Sequence, residues 1–144
     1  MKSFVTRKVL WAGLALVAAT IPAQGASAHA PVAHAVGEMR YMSGGVGIDE
    51  RDAMREQMGD YNLRLKFAAV GGAYLAKVTV RIEDPSGRRL LDAQSDGPWF
   101  FVKMPKGKYK LIVENGGISQ AREVDLSKKA VAEVVFRWKI ARTD

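Results

Sequence analysis

Val78-Thr79-Val80-Arg81-Ile82-Glu83-Asp84-Pro85-Ser86-Gly87 is the stretch on which the fold is decided. Its apolar residues recur every second position, the period of a strand with one face buried. The tetrad that follows fixes φ at Pro85 and places a residue tolerant of positive φ at Gly87, so the chain reverses into Leu90 and Leu91. Upstream, Leu63, Leu65 and Phe67 alternate with Arg64 and Lys66. Downstream, Asp96-Gly97-Pro98 leads into Trp99 to Met104, and Pro105-Lys106-Gly107 turns into Tyr109, Leu111 and Val113. Asn115-Gly116-Gly117 turns again into Ile118 to Leu126, and a last run from Ala130 to Ile140 carries Val131, Val134, Phe136 and Trp138. About seven short strands with turn chemistry between them predict an all-β fold, a seven-stranded sandwich of two packed antiparallel sheets.

The segments before this domain have a different character. Asp49 to Met58 reads as a helix: Asp49 can cap its first turn, Glu50 and Asp52 favour its positive end, and Met54 and Met58 form one apolar stripe. Gly59 is expected to end it in a left-handed cap. Residues 29–47 are rich in Ala, Gly, Pro and Val without a usable period and read as a flexible leader. Before them, Lys2, Arg7 and Lys8 precede the unbroken apolar or small run Val9 to Ala19, and Ala26-Ser27-Ala28 follows. Positive, then apolar, then small is the order of a secretory signal peptide. The apolar run is shorter than the roughly 20 residues that span a bilayer, so no retained membrane anchor is expected. The resulting division is 1–28 signal peptide, 29–60 leader and short helix, and 61–140 sandwich. Cleavage after Ala28 makes His29 the new N-terminus, and the product is expected to be periplasmic or secreted.

The formal charge of +7 falls to +4 without the three basic groups of residues 1–28. Separated cations of this number read as a solvated surface, and no nucleic-acid partner is expected. The chain has no cysteine, which removes thiolate nucleophiles, thiolate metal ligands and disulfides.

Val78-x-Val80-x-Ile82-x-Asp84-x-x-Gly87, Leu90-Leu91, Gly97 and Phe101-Val102-x-Met104-Pro105-x-Gly107-x-Tyr109-x-Leu111 together resemble the carboxypeptidase regulatory-like domains, over roughly Leu63 to Trp138. The resemblance implies a transthyretin-like or prealbumin-like Greek-key sandwich and a role in adhesion, assembly or binding. Related folds include hydroxyisourate hydrolases, which need histidines within the sandwich. Both histidines here, His29 and His34, precede it, so that activity is not expected.

The candidate chemistry is sparse. Ser43, Ser86, Ser95, Ser119 and Ser127 sit in turn-like contexts, and Asp84, Asp92 and Asp96 read as turn residues in the absence of an Asp-x-Asp-x-Asp-Gly run. Neither set suggests catalysis, and no enzyme is expected. An amine and imidazole at His29, with His34, Met39 and Met42 nearby, form a candidate copper site. Trp99, Phe100 and Phe101 are consecutive, so in a strand at least one ring faces away from the others. Either the Met stripe of the helix covers that ring, or the three form a partner-binding patch. The expected function is an exported, non-catalytic binding or assembly module that contacts another envelope protein. A copper-binding protein and a glycan-facing accessory module are the alternatives.

Overall fold

A computed structural model of the chain describes residues 31–139; the signal-peptide reading, the His29 terminus and Ile140 lie outside the described residues. Within them the strands are β1 (His34–Val36), β2 (Met39–Gly44), β3 (Leu63–Ala69), β4 (Thr79–Glu83), β5 (Arg89–Gln94), β6 (Trp99–Lys103), β7 (Lys108–Asn115), β8 (Ile118–Asp125) and β9 (Ala132–Trp138). One helix, α1 (Ile48–Gln57), continues into a short 3-10 turn at Met58–Asp60. The strands form a five-stranded sheet in the order β1-β2-β6-β3-β9 and a four-stranded sheet in the order β5-β4-β7-β8. Leu65, Phe67, Phe100, Val102 and Phe136 of the first sheet and Val80, Ile82, Leu111 and Val113 of the second belong to one buried cluster. The fold is therefore an all-β sandwich. Each such side chain contributes about 1.5–3 kcal/mol by leaving water, which makes the inter-sheet core the main source of stability.

The structure departs from the sequence reading in four places. Residues 34–44 are two paired strands and not a flexible leader, which makes nine strands among the described residues where seven were expected. β2 hid from the period-two test because both of its faces are covered. Met39 packs in the main core while Met42 packs beneath the helix, so polar and apolar positions do not alternate. The first sheet is not purely antiparallel, since β3 and β9 run parallel from Leu63↔Ala132 to Ala69↔Trp138. A parallel pair needs a long return, and here the whole second sheet and β6 lie within it. The cap of α1 is Gly47, without a side-chain bond, and Asp49 does not serve as the cap. Glu50 instead reaches back and accepts from the Gly45 N–H at 2.9 Å. Gly59 is not left-handed, because the chain carries on through the 3-10 turn to an extended Tyr61.

Two buried serines fix the loop between β5 and β6. Ser95 Oγ accepts from Val78 N–H at 2.9 Å, while Ser43 Oγ accepts from Asp96 N–H and donates to the Trp99 carbonyl, both at 2.9 Å. Gly97 allows that loop to touch β2, since a Cβ there would overlap the Gly44 carbonyl. The other turns rely on aspartate. Asp84 accepts from the Ser86 hydroxyl at 2.6 Å and the Arg88 and Ser86 amides at 2.9 and 3.0 Å, and Gly87 closes the turn at φ +84°. The Ser86 hydroxyl, then the Arg88 amide, hold the Asp84 carboxyl below its ordinary value, and Ser127 acts likewise on Asp125.

Two measurable outcomes follow. Ser43→Ala leaves the buried Trp99 carbonyl and the half-buried Asp96 N–H without their partner and is expected to cost about 1–3 kcal/mol in urea unfolding. A carboxyl with a depressed folded pKa stabilises the protein above its unfolded value and ceases to do so as pH falls through its folded value. The melting temperature should therefore drop on acidification below about pH 4, and more shallowly in an Asp84→Asn/Asp125→Asn variant.

Candidate functional site

The three consecutive aromatics point to both sides of β6. Phe100 enters the main core, fully buried, and stacks on Tyr41 with ring centroids 5.2 Å apart. Trp99 and Phe101 point outward, but Met42, Met54 and Tyr61 enclose them, with Met58 at the margin. Their exposures of 8% and 1% leave no aromatic patch for a partner. Helix coverage is the alternative that the structure adopts, and it replaces the partner-binding reading of Trp99, Phe100 and Phe101. The outer margin of Trp99 is flanked by cations: the Arg55 guanidinium and the Lys66 amine each lie 5.3 Å from its ring.

The proposed copper ligands do not converge within the described residues. His34 is exposed on β1 and stacks on Tyr41 at 4.9 Å. Met39 and Met42 lie three positions apart on one strand and so point to opposite faces, buried in separate clusters. His29 lies outside the described residues. No group of three or more His, Asp or Glu side chains close enough to hold a metal occurs among the described residues. The aspartates are also dispersed: Asp84 closes its turn, and Asp92 pairs with Arg89 at 3.0 Å and Arg81 at 3.7 Å. Asp96 lines a cleft at another end of the sandwich.

That cleft, of about 1000 Å³, lies where β1, β2 and α1 meet. Val32, Val46 and Ile48 line it and are 65%, 64% and 72% exposed, unusual values for three large apolar side chains in one place. Asp49, Glu50 and Asp96 provide its acidic rim. Glu50 is held there by the Gly45 amide, and the Arg51 guanidinium bonds the Gly45 carbonyl at 2.9 Å, so the 45–51 corner has a defined shape. Sequence reasoning placed Val46 in the leader and Ile48 between leader and helix, and missed the cleft. The available signal was Ile48, which is apolar yet lies off the Met54/Met58 stripe at 3.6 residues per turn.

A second groove, of about 570 Å³, runs along the outer face of β3 and β9, with Lys66, Tyr74, Trp99, Val135 and Arg137 in its walls. Lys66 Nζ lies 2.8 Å from Glu133 and, chiefly by that bond, holds the Glu133 carboxyl below its ordinary value. Both surfaces are suited to recognition: they offer apolar contact and fixed charge.

Because both sulfurs are buried, copper uptake by a chain that begins at His29 is expected to be the same in Met39→Leu, Met42→Leu and the parent, within titration error. A loss of stoichiometry in either variant would show that the strand opens to expose its thioethers.

No family model matches the chain, and no curated protein matches it, so the functional argument rests on these surfaces.

Proposed function

We propose that the chain is an exported, non-catalytic assembly module of a bacterial cell envelope that docks another envelope protein through the Val32–Val46–Ile48 cleft. The observation that carries this reading is the gathering in one cleft of three of the eight exposed large apolar side chains among the described residues, beside three carboxylates. The fitting partner segment presents one or two apolar side chains flanked by lysine or arginine. Such a contact is small and suits reversible association. Export is supported by the order of residues 1–28.

The fold is read as a carboxypeptidase regulatory-like, prealbumin-like Greek key. That reading is supported by the way β6 returns beside β3, and β7 beside β4, after the β4–β5 hairpin has been made. In this reading the sandwich supplies rigidity, and the specificity resides in the corner built by β1, β2 and α1.

A photo-crosslinking residue at position 48, in cells, tests the proposal against the same residue at Ile118, which is 53% exposed on the far hairpin. Position 48 should give one discrete adduct in the periplasmic fraction, from a protein whose N-terminus sequences as His29. Val32→Lys/Val46→Lys, made with the probe still at position 48, should abolish the adduct while changing stability by less than about 1 kcal/mol, as befits exposed positions. Equal crosslinking at 48 and 118, or a protein retained in the cytoplasm with its leader intact, would overturn it.

A further inference from the structure

The outer face of the five-stranded sheet is divided in two. α1 covers Met42, Trp99 and Phe101 on β2 and β6. Beyond the helix, the pairing Arg64↔Glu133, Lys66↔Val135 and Ala68↔Arg137 gives β3 and β9 a common outward face. Three of those six residues are cations and one is an anion. The edge of the helix adds Arg51 and Arg55, which lie over the rings of Tyr74 and Trp99 at 4.7 and 5.3 Å. No carboxylate lines the groove among the described residues. The nearby acids are already engaged, Glu133 by Lys66 and Asp52 by Arg55 at 2.7 Å. Arg51 and Arg137 have no acidic partner within salt-bridge distance among the described residues.

We infer that this groove binds a carboxylated polysaccharide. The charge complement of Arg137 in the groove, with Arg51 over Tyr74 at its edge, is a carboxylate, which guanidinium grips through a planar fork. The apolar plate is Tyr74, 59% exposed, so Arg51 covers only part of its ring and the remainder is open to the C–H face of a sugar. An acidic peptide fits less well. Extended peptides gain affinity by adding to the backbone of a sheet edge, whereas this groove offers the side-chain face of two already paired strands. The site is separate from the Val46–Ile48 cleft and does not depend on it.

Calorimetric titration of the mature protein with oligogalacturonate, with neutral maltooligosaccharide and with poly-glutamate of equal charge tests the inference. Oligogalacturonate should bind, and its affinity should fall steeply toward about 0.5 M salt, where the screening length is only about 4 Å. Arg137→Ser and Tyr74→Ala should each weaken it by about fivefold, with Arg137→Lys, which keeps the charge but not the planar fork, falling between the parent and Arg137→Ser. Neutral sugar should not bind, and poly-glutamate should bind more weakly than the uronate. Val46→Lys/Ile48→Lys should leave uronate binding unchanged, which keeps this result independent of the protein-docking proposal. No uronate binding, binding indifferent to both Arg137→Ser and Tyr74→Ala in variants that melt like the parent, or equal affinity for poly-glutamate would overturn the inference.

Discussion

Trp99, Phe100, Phe101 and Val102 are buried without interruption, so both faces of β6 must be roofed before the sandwich is stable. The inward face is satisfied by the opposite sheet. The outward face needs a cover of its own, and residues 39–61 provide it: β2 lines one side of β6, α1 lies above, and Met42, Met54 and Tyr61 close around Trp99 and Phe101. Large rings placed in water on that face would forfeit about 1.5–3 kcal/mol each, a serious fraction of the stability of a small domain. The segment ahead of the sandwich is thus a structural part of it, and the close approach of Gly97 to Gly44 is where the two are fastened.

This arrangement explains what the sequence disclosed. β3, β4 and β7 each bury one face, so Leu63-Leu65-Phe67, Val80-Ile82 and Tyr109-Leu111-Val113 advertise themselves by alternation. Asp84-Pro85-Ser86-Gly87 was legible because its chemistry is local, contained within a few residues of backbone. β2 was not legible, since a six-residue strand covered on both sides carries no period and includes Ser43 and Gly44, which are buried for reasons of contact with a distant loop. The parallel β3–β9 pair was equally hidden: register between strands this far apart leaves no mark on either one.

The functional surfaces were harder still. The sequence pointed to the rings of Trp99, Phe100 and Phe101, because aromatics draw attention, yet the fold spends them on cohesion. It left Val46 in the leader and Ile48 between leader and helix, and scattered Arg51, Lys66, Tyr74 and Arg137 across eighty-odd positions. Only the strand order makes neighbours of Lys66 and Arg137, and only the placement of α1 brings Arg51 to Tyr74. Surfaces assembled from distant segments have no local signature, whereas turns and single-faced strands do.

The parallel pairing of β3 with β9 also orders events in time. β3 lies between β6 and β9 in the finished sheet, so one of its two ladders awaits residues 132–138, the last strand of the described chain. A chain still emerging from a ribosome or passing through a pore exposes the unpaired edge of β3 until its tail arrives. The five-stranded sheet of such a chain is complete only once residues 132–138 are free to pair.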